Sequence, residues 1–191
     1  MNKLHSLKLE ETKKNREKAQ SIFKNLRDKI CSTLEEVENQ GSHKKNSFIS
    51  NVWNRKGGGG GESNNLRGAV IEKSGVHLST VFGSLPLGAL DSDKSVNTDQ
   101  FWATGISVIV HPKNPFAPSV HMNLRMLVTN DYWFGGGADL TPYYPYLTDV
   151  RHFHKEHGKA CEKVNKNLHK VFKPWCDEYF FLKHRNESRG I

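Results

Sequence analysis

Apolar residues never run on in this sequence for more than a few positions, as at Val108 to Val110. A bilayer-spanning helix needs ~20, so integral membrane contact is excluded. Cysteine is scarce: Cys31, Cys161 and Cys176 are scattered with no Cys-x-x-Cys pair, which excludes a disulfide framework or zinc knuckle and fits a reducing compartment. No apolar signal core follows the charged start at Asn2, Lys3 and His5, so a cytoplasmic location is expected. Acidic residues are in deficit, 20 Asp+Glu against 28 Lys+Arg, for a net charge of +8. That balance favours an anionic partner: nucleic acid, a membrane surface, or a polycarboxylate or phosphate ligand. No serine elbow, Cys/His nucleophile pattern or internal repeat is present. With 36% apolar and 25% charged residues over 191 positions, the chain reads as one globular domain, 1–191.

Ala19, Ile22, Phe23, Leu26, Ile30, Leu34 and Val37 recur at three- and four-residue steps and predict an amphipathic helix over the first 40 or so positions. Residues 1–18, rich in lysine, form a frayed or solvated lead-in, read either as a nucleic-acid arm or as a solvated helix face. A loop is expected at Gly41 to Asn46, strands at Phe48 to Arg55 and Leu66 to Lys73, and a long connection from Ser84 to Gln100. The five glycines Gly57 to Gly61 lack the Gly-Lys-Ser/Thr ending of a P-loop. Phe101 to Val110 and Val120 to Thr129 are the best strands, and a third from Tyr132 is expected to break at Gly135 to Gly137. Val150, Phe153, His157, Cys161, Val164, Leu168 and Val171 predict a further helix, and Pro174 the first turn of a last one, Trp175 to about Glu187. Strands in the middle and helices at both ends predict α+β with a mainly antiparallel sheet.

The strand Val120 to Val128 carries the sharpest chemical signal. Its strict alternation turns Val120, Met122, Leu124 and Met126 one way and His121, Asn123 and Arg125 the other. The polar row offers a proton donor or acceptor, an amide and a cation for a carboxylate; a solvated strand face is the plainer reading. Ser107, Ile109 and His111 share a face of the preceding strand, and His111 approaches His121 if the two strands pair. Asp139, after three glycines, could accept N–H bonds near a flat ligand or cap a turn.

Together these segments resemble the oxygen-dependent coproporphyrinogen III oxidases. The carriers are Gly105 to Pro115, Ser119 to Arg125, Trp133 to Pro142 and Lys173 to Glu187, with Trp53-Asn-Arg55 and Gly75-Val76 more weakly. The resemblance implies a large, mainly antiparallel sheet covered by helices on both sides, and a homodimer. It implies oxidative decarboxylation of coproporphyrinogen III by O2 in haem synthesis, converting two propionates to vinyls without an organic cofactor. Ser107, Asn123, Leu124, Arg125, Arg185 and Arg189 would contact substrate, and His121 would donate a proton. Asp139 would engage the pyrrole N–H groups, and His111, His121, His154 and His184 would hold a divalent metal cation. His77 departs from the family, as do Asn64 and Asn65. The chain is expected to be the N-terminal two-thirds of such an enzyme, with the C-terminal part missing and activity alone in question. The alternatives are an inactive truncated remnant and a basic RNA-binding module.

Overall fold

The computed structural model describes the backbone of residues 3–40, 44–85 and 100–191, with side chains from residue 11 onward. The order is α1 (Lys3–Gln40), β1 (Ile49–Asn54), β2 (Gly59–Leu66), β3 (Ile71–Ser84), β4 (Gln100–Pro112), β5 (Ser119–Val128), β6 (Tyr132–Thr141), α2 (Leu147–Glu162), α3 (Leu168–Tyr179), β7 (Phe181–Leu182) and β8 (Glu187–Ser188). β1 to β6 form one antiparallel meander in sequence order, and β7 pairs with β8. The α+β class with an antiparallel sheet stands.

One sheet face is covered by α1. Ala19 and Phe23 bury against Val76, Ile106, Val108, Met126 and Val128, with Leu26, Ile30 and Leu34 packed around them. Two expected members of that stripe, Ile22 and Val37, are instead 51% and 45% exposed. In Val37's place the helix buries Glu38 completely. Its carboxylate accepts the backbone N–H groups of Ala69, Val70 and Ile71 at 2.6, 3.0 and 2.8 Å. This clamp fastens the end of α1 to the β2–β3 turn. It also requires Gly68, where a Cβ would collide with the carboxyl group.

Several expected boundaries move. α1 is continuous from Lys3, with no break at the expected end of the lead-in. Leu66 to Lys73 is not one strand but straddles the β2–β3 turn, where Gly68 N–H bonds to Ile71 C=O. The connection from Ser84 to Gln100 falls almost wholly, and the loop at Gly41 partly, outside the described residues. β6 does not break at its glycines. Gly135, Gly136 and Gly137 pair in register with Arg125, Leu124 and Asn123, and none has positive φ. Pro174 lies inside α3 rather than opening a helix. Its missing N–H leaves one internal bond unmade, and the chain leaves the helix at Tyr179 for the β7–β8 hairpin.

α3 lies on the face opposite α1, at the β6 edge only. A Cβ on Gly137 would meet Cys176 and Phe180. The rest of that face, over β2 to β5, is uncovered by any described helix.

Candidate active site

Alternation along β5 sends Met122, Met126 and Val128 to α1, so His121, Asn123 and Arg125 necessarily face the opposite way. Register then assembles rows across this face, uncovered by any described helix over β4 and β5 and overlaid by α3 at β6. Gly105, Arg125 and Gly135 align; so do Ser107, Asn123 and Gly137; and so do Ile109, His121 and Asp139. Three of these nine positions are glycine, which lowers the relief around the polar groups.

Asp139 is 1% exposed and sits directly across the ladder from His121. Its Oδ1 lies 2.7 Å from His121 Nδ1 and accepts the Thr141 hydroxyl at 2.8 Å. Its Oδ2 accepts from the Arg189 guanidinium at 2.7 Å. Burial pushes the carboxyl pKa up, but the bonds from His121, Arg189 and Thr141 outweigh it and hold the group below the ordinary aspartate range. The aspartate is therefore ionised and can only accept, which makes His121 Nδ1 the donor.

His121 Nε2 lies 3.0 Å from His111 Nε2. The two histidines are diagonal rather than opposite, since His121 pairs with Ile109. One proton must occupy that contact, on either ring. Burial lowers the His111 pKa, and the His121 and Lys73 charges lower it further. The line His111–His121–Asp139–Arg189 can pass a proton between two imidazoles while a buried anion holds one of them in orientation.

Arg125 donates to Asn123 Oδ1 at 2.9 Å and meets no carboxylate among the described residues. Ser107 is exposed in the same row as Asn123. Arg189 stacks over the Phe180 ring, 4.8 Å from its centroid, so it joins the site through Asp139. Arg185 does not: it pairs with Glu187 at 2.8 Å on the surface. Leu124 points to the other face, over Gly136, because period two separates it from its neighbours; only its backbone borders the polar row.

The four histidines expected to share a metal are dispersed. His154 lies on α2 with its ring against Phe153 and His169, at 5.5 and 5.8 Å between centroids. His184 is exposed between β7 and β8. Only His111 and His121 meet, and their Nε2 atoms face each other. Among the described residues no three His, Cys, Asp or Glu side chains gather to hold an ion. The donor set here does not fit a four-histidine centre.

Thr141, the third partner of Asp139, shares its face only because β6 runs unbroken through the glycines; a strand that ends at Gly135 gives no signal for it. His77 also lies on this face, opposite Ser107. The sequence signals no strand at His77, so nothing local fixes its orientation.

The model of the family Coproporphyrinogen III oxidase matches residues 18–191. The chain is 55% identical over 185 residues to the oxygen-dependent coproporphyrinogen-III oxidase of Prochlorococcus marinus subsp. pastoris (strain CCMP1986 / NIES-2087 / MED4), covering 95% of this chain and 53% of that protein. It is 54% identical, with the same coverage, to the enzyme of that name from Prochlorococcus marinus strain MIT 9312. For strain MIT 9515 the identity is 54% over 179 residues, covering 92% of this chain and 51% of that protein. The chain spans about half the length of the curated relatives it matches, less than the two-thirds expected. No helix among the described residues is long and apolar enough to cross a membrane.

Proposed function

The chain belongs to the coproporphyrinogen III oxidase family, and from that premise we propose that its uncovered sheet face binds coproporphyrinogen III for oxidative decarboxylation by O2 to protoporphyrinogen IX. In each of two steps a propionate loses CO2 and a hydride equivalent from its β-carbon, leaving a vinyl group. O2 takes up the two electrons and two protons as hydrogen peroxide.

The observation that carries this reading is a buried, ionised Asp139 bonded to His121, which in turn contacts His111, on the same face as an Arg125 that meets no carboxylate among the described residues. Arg125 and Asn123 suit a propionate carboxylate. Asp139, already bonded to His121, Thr141 and Arg189, suits stabilisation through His121 of the positive character that develops on a pyrrole as its side chain is oxidised. His121, oriented by Asp139 and bonded to His111, suits a proton donor. Low relief at Gly105 and Gly135 suits a macrocycle. No organic cofactor is called for, and no step is assigned to a metal. Homodimerisation and a cytoplasmic location belong to the same reading. The comparisons lend no support to the RNA-binding alternative.

The test is anaerobic titration of the chain with coproporphyrinogen III, followed by admission of oxygen and detection of product. The wild-type chain is expected to bind. Arg125→Ala should weaken binding about tenfold or more, the worth of a charge-assisted hydrogen bond, while leaving the fold intact. Equal affinity of the two proteins would refute the assignment. Binding without turnover would favour the remnant alternative.

A further inference from the structure

We propose that His77 is a further ligand-contacting residue of this face, donating a hydrogen bond from Nε2 to a peripheral carboxylate of the bound tetrapyrrole. The inference rests on the function proposed above and extends its site by one strand.

β3 buries Val76 against α1, so Gly75, His77 and Ser79 lie on the opposite face with Arg125. Register places His77 beside Ser107, and Ser107 beside Asn123. Two strand spacings, about 10 Å, separate His77 from Asn123. The imidazole leans along its own strand over Gly75, where an added Cβ would lie 2.6 Å from Nε2. Gly75 aligns with Ile109 and, beyond it, His121. The ring is therefore inclined toward the His121–Asp139 row and seated on a position with no side chain.

Its hydrogen bonding is unspent. Nδ1 is buried with no partner, so Nε2 is the nitrogen left to meet a ligand. Burial holds the imidazole pKa below its ordinary value, so at neutral pH the ring is uncharged and one nitrogen is a donor. His77 lies three strands from Asp139, away from the centre of a ligand whose reacting pyrrole lies at the His121–Asp139 row. The periphery of coproporphyrinogen III carries propionates and methyls, and only a propionate accepts a hydrogen bond.

The experiment measures coproporphyrinogen III affinity and thermal midpoint for His77→Leu, His77→Gln, Gly75→Ala and, as a control, Arg125→Ala. His77→Leu should weaken binding roughly tenfold with an unchanged or raised midpoint, because an unpaired buried nitrogen has been removed. His77→Gln, whose amide reaches where Nε2 stands, should recover most of the affinity. Gly75→Ala evicts the ring while keeping it and should weaken binding like the leucine variant. Unchanged affinity in both His77→Leu and Gly75→Ala, beside a weakened Arg125→Ala, would overturn the role of His77 alone. A lowered midpoint with no rescue by glutamine would make His77 structural and overturn it too. Absence of binding by the wild-type chain would remove the reading of the face and this inference together.

Discussion

The clamp formed by Glu38 offers the most exacting test of the folding argument. Its carboxylate is fully buried and is held by three backbone N–H groups and by Asn46 Nδ2 at 3.2 Å. Glu38→Ala strands three peptide donors in the β2–β3 turn. At about 1 kcal/mol each, the lower end of the range because two of the bonds are only partly buried, the loss is about 3 kcal/mol. For a chain of this size that corresponds to a fall in midpoint of roughly 6–12 °C. Gly68→Ala drives a Cβ into the same carboxyl group and should by itself cost about 2 kcal/mol. In the Glu38→Ala background the space is vacant and that cost should nearly vanish. Urea denaturation of the wild type, both single variants and the double variant closes the cycle. Additivity within about 0.5 kcal/mol would mean that the two sites do not touch energetically and would refute the clamp. The pH dependence has a definite sign. Burial raises the Glu38 pKa, but the backbone donors lower it more, leaving it below its ordinary value. The stabilisation is therefore complete above the unfolded value of about 4.3 and is lost as pH falls through the folded one. Glu38→Gln should show a shallower loss of stability on acidification than the wild type.

Asp139→Asn keeps the shape and one acceptor but removes the charge facing His121 and Arg189; turnover should fall about a hundredfold with little change in substrate affinity. Equal losses in rate and affinity would assign the carboxylate to positioning instead. The Cys31 thiol is pushed up to about 11 by burial, against the opposing Arg27 charge. Alkylation at pH 8 should be at least about a hundredfold slower in the folded chain than in urea, as peptide mapping by mass spectrometry can check. Leu124→Ala should leave coproporphyrinogen affinity within about twofold, since that side chain lies over Gly136 on the far face; a large loss in titration would contradict the strand alternation.

Local periodicity made some of this molecule legible in the chain alone. Strict alternation from Val120 to Met126 separated His121, Asn123 and Arg125 from the core side, and the stripe from Ala19 to Leu34 identified a packing helix. Both follow from backbone geometry that repeats every two or 3.6 residues and needs no distant partner. The glycine run before it, rather than periodicity, singles out Asp139, and the family resemblance gives it a role. Other features depended on residues far apart in sequence. A periodic reading buries Val37, but the turn at Ala69 to Ile71 presents donors that make Glu38 the buried residue. Glycines signal a break, but pairing with Asn123 to Arg125 keeps β6 extended. A count of histidines suggests one centre, yet α2 carries His154 away to His169 while the β4–β5 register brings His111 within 3.0 Å of His121. Which polar groups are satisfied, and so which can be buried charged, is decided by strand register and by helix placement. Those are set by contacts between segments, and no window of neighbouring residues contains them.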